Sequence, residues 1–269
     1  MTVSHDFQDE RTLIDLNEYG FYFYMPDSVA VKSELGYFLK NHKIETYSYV
    51  TPTSLGEKEF NKFLSYTFSF FNDGKEYFII KLPYNIHYRE NSKKLREKGL
   101  IAFYSDISVM SWGIDSLPYL KTDDELEILS LPLKKLQRWV DVFFDAFDYP
   151  KNLRKYISSM VTKQAENGIE FYVGSLSGKD VSCFCVYEQD PYHGFYGVGT
   201  KHKFRRKGYA SSTMSNYMKS KIESNPSARF CLQVQAGSNA ERLYEKIGFK
   251  RSFIQKRFDW DPSALRPIV

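Results

Sequence analysis

The thirteen residues Val198-Gly199-Thr200-Lys201-His202-Lys203-Phe204-Arg205-Arg206-Lys207-Gly208-Tyr209-Ala210 constrain the fold of this chain most, because a short apolar strand runs through a basic, glycine-bearing turn straight into an amphipathic helix. The first N–H groups of a helix lack intrahelical partners and carry the positive end of its dipole, so this arrangement makes a seat for a pyrophosphate. Gly208 brings no Cβ to block the approach. Five of the seven residues from Lys201 to Lys207 are cationic. A solvated surface face would explain such a run in isolation, but its place between a strand and a helix favours anion binding.

The segment Arg205-Arg206-Lys207-Gly208-Tyr209-Ala210 resembles the Arg/Gln-x-x-Gly-x-Gly/Ala signature of the GNAT superfamily of acyl-CoA N-acyltransferases. Val198-x-Thr200 before it resembles that family's acyl-binding strand. Downstream, Ala240-Glu241-Arg242-Leu243-Tyr244-Glu245-Lys246-Ile247-Gly248-Phe249 is similar to the helix and turn that close the same fold. The two motifs occur in the family's order, and the resemblance covers residues of about 125–258. It implies a mixed, mostly antiparallel twisted sheet flanked by helices, with acetyl-CoA as co-substrate and no metal.

A chain of 269 residues is long enough for two modest cores. We divide it into an N-terminal α/β domain, 1–123, and a C-terminal domain, 124–269, an overall α/β (α+β) class. With 42% hydrophobic and 26% charged residues, the composition is that of a globular protein; its excess of rings, 21 Tyr and 22 Phe, first means large core side chains. A net charge of only +4 argues against a dedicated nucleic-acid binder. Cys183, Cys185 and Cys231 cannot all pair internally and contain no C-x-x-C, which suits a reducing compartment. No leader or membrane span is read, so a cytoplasmic protein is expected. Nothing chooses between monomer and homodimer.

From residue 124 the pattern alternates. A strand at 127–131 precedes a helix after Pro132, in which Leu133, Leu136, Trp139, Val140, Phe143 and Phe147 recur at three- and four-residue steps. A second helical run carries Leu153, Ile157, Met160 and Val161. Strands at 169–173, 181–187 and 194–200 form a meander, the basic turn feeds a helix, and a strand at 230–235 follows. Asn239 is the expected cap of a helix over 240–247, and 249–258 is the last strand. The N-terminal half reads less clearly, with strands at 44–50 and 77–82, a helix at 57–71 and strand character at 100–112. Arg96-Glu97-Lys98-Gly99-Leu100-Ile101 superficially repeats the phosphate motif but reads as a helix end with its glycine cap. An independent domain and a degenerate GNAT repeat both remain open for this half.

Acyl transfer from a thioester to an amine requires a held cofactor, a polarised carbonyl and a proton for the leaving thiolate. Backbone N–H groups of Arg206, Lys207, Gly208, Tyr209, Ala210 and Ser211 would cradle the pyrophosphate, with Arg205, Arg206 and Lys207 supplying charge. The resemblance implies that the strand through Val198, Gly199 and Thr200 splays from its neighbour, with an N–H near Val198 facing the thioester oxygen. Gly197 and Gly199 suit a bulge there. It also implies Tyr244 as the general acid. The family's pantetheine-binding Asn falls here on Gly237, leaving Asn239 as a weak substitute. Glu188, Asp190 and His193 are candidate bases, and Phe143, Phe147, Tyr149 and Phe258 could wall the acceptor or fill the core. The expected activity is acetyl transfer to a small-molecule or peptide amine; the alternative is a non-catalytic acyl-CoA-binding or partner-binding module.

Overall fold

The computed structural model describes residues 5–263, and the side chains of residues 10–263. In chain order the elements are α1 (His5–Phe23), β1 (Ser28–Lys32), β2 (Gly36–Asn41), β3 (Tyr49–Pro52), α2 (Glu57–Phe70), β4 (Phe78–Pro83), α3 (Tyr88–Glu97) and β5 (Ile101–Trp112). There follow β6 (Leu126–Ser130), α4 (Gln137–Phe147), α5 (Arg154–Glu166), β7 (Glu170–Leu176), β8 (Lys179–Gln189), β9 (Tyr192–Thr200), α6 (Tyr209–Ser224), β10 (Arg229–Gln235), α7 (Asn239–Lys246) and β11 (Lys250–Trp260). Among the described residues no helix is long and apolar enough to cross a membrane.

Two compact units divide the described residues, the first formed by residues 5–109, 234–236 and 252–263, the second by 110–233 and 237–251. This differs from a single cut at 123/124, because residues 110–123 go with the second unit and most of β11 goes with the first. In the first unit the strands follow the order β1-β2-β3-β4-β11-β5. β11 runs antiparallel to β4, from Gln255↔Pro83 to Trp260↔Phe78. Phe258 is wholly buried and shares a core with Phe38, Phe60, Phe63, Phe71, Phe78 and Leu95. Trp260 donates its indole N–H to Gly74 O at 2.7 Å. Phe258 is therefore core, and not part of an acceptor wall.

The consequence is testable. A fragment ending at residue 123 retains the helices of the first unit but loses β11, and losing a buried Phe alone costs about 3–5 kcal/mol, a large share of the stability of a small domain. We expect fragment 1–123 to show no cooperative thermal transition by near-ultraviolet circular dichroism. A sharp melt would show that β11 is dispensable.

The first unit contains a strand-helix-strand crossover in which β3 and β4 are parallel, paired at Tyr49↔Ile79 and Val50↔Ile80. α2, which joins them, starts with Gly56 as cap and carries Glu57 and Glu59 in its first turn. Those carboxylates complement the helix dipole and leave the turn hostile to an anion. The segment from Arg96 to Ile101 closes α3, with Gly99 at φ 92° and Leu100 N–H bonded to Leu95 O. It is a helix end, as its glycine implied.

In the second unit the strand order is β10-β9-β8-β7-β6, antiparallel from β6 to β9, with β10 parallel to β9. Phe171 meets Trp139 of α4, whereas Tyr172 meets Tyr217 of α6. Successive strand residues point to opposite faces, so α4 and α6 cover opposite sides of this sheet. Cys183 and Cys185, opposite Val173 and Phe171, are buried on the α4 face, and burial pushes both thiols up, which makes them core fillers and not nucleophiles.

Candidate active site

The parallel pair β9 and β10 is held at Arg229↔Tyr192, Phe230↔His193 and Cys231↔Gly194, and diverges beyond. Among the described residues, no strand pairs with β9 on this edge past Gly194. A bulge shapes the same stretch. On β8, Cys185 faces Tyr196 and Cys183 faces Gly199, so Gly197 and Val198 together oppose Phe184. Gly197 takes φ 59°, as the first residue of such a bulge often does.

Small residues here are also a packing requirement. A Cβ on Gly197 would stand 2.8 Å from the Trp139 ring, and one on Gly199 would stand 2.7 Å from Ala146 Cβ and 2.9 Å from the Phe147 ring. α4 thus lies directly against the bulged strand. Phe143 is buried and stacks on Trp139 with ring centroids 4.7 Å apart, so it belongs to the core. Phe147 remains substantially exposed, and Tyr149 touches Phe143 at 5.1 Å.

β9 ends at Thr200, and a short 3-10 turn over His202–Phe204 leads to α6. Arg206 at φ 62° and Gly208 at φ 83° both take the left-handed conformation, and Gly208 caps the helix without a side chain. A Cβ there would find only Ser211 Oγ, 3.8 Å away, so the space in front of the glycine is open. Ser212 N–H and the Ser211 hydroxyl both bond Gly208 O, at 2.9 and 2.6 Å. Among the described residues, the backbone N–H groups of residues 206–211 make no hydrogen bond to protein. They are the orphan donors of a helix start, with Arg206 and Lys207 exposed beside them. Arg205 differs. Its guanidinium donates to Thr200 O and Ala146 O, at 3.3 and 2.6 Å.

After β10, α7 is capped by Ser238, not Asn239: the Ser238 hydroxyl accepts the Glu241 N–H at 3.1 Å, and Asn239 is the first helical residue, exposed. The buried Glu241 carboxylate accepts the Gly237 N–H at 2.5 Å and two Arg251 N–H groups, at 3.1 and 2.5 Å. This lock escaped the sequence reading, although Ser238-x-x-Glu241 is a capping-box pattern. Tyr244 lies one turn on, buried, with its ring against Phe249, and burial pushes its phenol upward. Gly248 takes φ 94° where a Cβ would stand 2.7 Å from Ser116, which explains the glycine of the motif.

Glu188 and His193 do not reach the bulge. His193 is buried with Nδ1 3.5 Å from Glu188 Oε2 and 3.5 Å from the Tyr217 hydroxyl, and burial lowers its basicity. It stands on the paired part of β9, five residues or about 16 Å of strand from Val198. Asp190 lies further along the same hairpin.

The same fold occurs in solved structures described as GCN5-related N-acetyltransferases. A structure from Kribbella flavida described by that name superposes with a TM-score of 0.65 over 93% of this chain and 94% of that one, at 15% identity. A tandem GNAT protein from the clavulanic acid biosynthesis pathway gives 0.63 over 93% and 95%, at 7% identity. A GCN5-related N-acetyltransferase from Sphaerobacter thermophilus gives 0.60 over 84% and 80%, at 14%. Residues 172–258, which hold the bulge, the basic turn and α7, match the family described as FR47-like protein. The likeness to these structures shows the fold, and the family match covers about a third of the chain. Among curated proteins, no relative matches.

Proposed function

We propose that the chain is an acyl-CoA N-acyltransferase that moves an acetyl group from acetyl-CoA to a primary amine, directly and within a ternary complex. The observation that carries this reading is the coincidence, on one strand, of a bulge, an unpaired edge and a turn with orphan amides. A pantetheine arm can pair with the open edge of β9 as an added strand would. The diphosphate then falls at the start of α6, where the amides of Arg206, Lys207, Gly208, Tyr209, Ala210 and Ser211 face it.

Bound acetyl-CoA supplies a thioester carbonyl, and the protein aligns, polarises and protonates around it. An N–H at Val198 would stabilise the oxyanion that forms as the amine lone pair attacks the carbonyl carbon. The C–S bond then breaks, and the Tyr244 phenol gives its proton to the departing thiolate. An upward-shifted phenol is still protonated at neutral pH, as a donor must be. With Glu188 and His193 remote from the bulge, water is the acceptor of the amine proton. Arg205 serves the turn, and Asn239, outside the cap, is available to the pantetheine arm.

Calorimetric titration with acetyl-CoA, followed by thiol-release assays over an amine panel, tests the reading. The first unit offers an acidic helix start, so one acetyl-CoA per chain is expected. A stoichiometry of two would show that α2 also seats an anion. Binding without thiol release to any amine would favour a non-catalytic acyl-CoA-binding module.

A further inference from the structure

We propose that His202 and Arg205 are positioning residues of the diphosphate seat, which they serve by fixing the basic turn to the last turn of α4 and not by touching the ligand. The proposal rests on the reading above that this turn seats a diphosphate. Four hydrogen bonds carry it. The His202 N–H donates to Asp145 Oδ1 at 2.7 Å, and the His202 ring places Nε2 3.0 and 3.1 Å from the two carboxylate oxygens of Asp148. Arg205 Nη2 donates to Ala146 O at 2.6 Å.

All three anchor residues stand at the C-terminal end of α4. Ala146 O belongs to the last turn, where carbonyls have no intrahelical donor, and a guanidinium there satisfies both the hydrogen bond and the negative end of the helix. Asp148 ends α4 at φ 52°. The same helix end presses Ala146 and Phe147 onto Gly199. One turn of α4 therefore holds both the strand beside the thioester and the turn beside the diphosphate.

A seat built of main-chain amides works only if the main chain is already in place. Residues 202, 203 and 205–208 are exposed, and two of them hold left-handed conformations, so the turn has little packing of its own to keep it ordered. Without the α4 anchors, ordering it would be charged against binding. Arg205, the first cation of the signature, is occupied as a helix cap, which leaves direct attraction to Arg206 and Lys207.

The sign of one measurement separates this from simple electrostatics. Asp145 and Asp148 are negative charges beside a polyanion site, so by charge alone their removal tightens coenzyme A binding. By positioning, removal weakens it. Asp148→Gly keeps the left-handed backbone accessible, and Asp145→Ala is an independent second variant. Calorimetry with coenzyme A should show each variant binding about 3–10-fold more weakly than wild type. The double variant H202A/D148G should be no weaker than the weaker single one, because the two side chains act as one pair. Hydrogen exchange without ligand should show faster exchange over residues 201–208 in both aspartate variants. Unchanged or tighter coenzyme A binding in both, or unchanged exchange, overturns the proposal. If wild type binds no coenzyme A, the seat itself falls; the exchange result then still reports whether the anchors order the turn.

Discussion

Gly208→Val is expected to weaken acetyl-CoA binding by about a hundredfold, or nearly 3 kcal/mol, while lowering the melting temperature by only a few degrees. At φ 83° the backbone of residue 208 suits glycine, and a β-branched residue there is a steric outlier. The chain relieves that strain by rotating the turn, which redirects the amides around residue 208 away from a common focus. Stability suffers little because the position is exposed and no neighbour would be struck, the nearest atom being Ser211 Oγ at 3.8 Å. Calorimetry and a thermal melt on the same sample check both halves. Wild-type affinity in the variant would remove the helix start from the binding site.

Tyr244→Phe is expected to lower turnover by about 10²–10⁴-fold, the usual contribution of a general acid, and to leave acetyl-CoA affinity within about threefold. The substitution removes one oxygen from a ring already buried against Phe249, so the packing of α7 persists. The pH profile carries a further sign. Burial raises the phenol's pKa above its ordinary value of 10.0, so Tyr244 stays protonated, and able to donate, throughout the neutral and mildly alkaline range. Wild-type activity should therefore hold as pH rises from 7 to 9, with no alkaline fall from this residue. Unaltered turnover in the phenylalanine variant would assign the proton to another donor, and an acetyl-CoA affinity lost in parallel would make Tyr244 a binding residue.

Most of the second unit was legible because its elements obey simple periodicities. The strands of the meander are short buried runs bounded by turn residues, α4 repeats at three and four residues, and Gly208 and Gly248 mark positions where the left-handed backbone is required. α1 was missed for an opposite reason. It buries Arg11, Asp15, Asn17 and Glu18, with Arg11 paired to Asp15 and Glu18 to Lys81, so no apolar stripe shows in its sequence. The strand expected at 44–50 begins at Tyr49, after a 3-10 turn at Glu45–Tyr47. Asn41 accounts for the shift, since its side-chain oxygen accepts the N–H groups of Lys43 and Ile44 at 2.9 and 2.6 Å and turns the chain before the strand can start.

At the candidate site, the sequence indicated which residue types form the basic turn but not how its cations divide their work. Arg205 and Arg206 are adjacent and alike on paper. Only the position of the α4 carboxy-terminal turn distinguishes them, and no local pattern encodes a contact across 59 residues. The Ser238 cap is the reverse case, because its partner Glu241 lies three residues away and the pairing could have been read directly.

The place of β11 in the first unit bears on how the molecule is made. A ribosome delivers Phe38, Phe60 and Phe78 long before Phe258, the ring that closes their core. The nascent amino-terminal half must wait, its aromatic surface uncovered, while more than a hundred further residues emerge. Uncovered aromatic surface of that kind is prone to aggregate, a hazard for a sheet whose inner strand is synthesised so long after its neighbours.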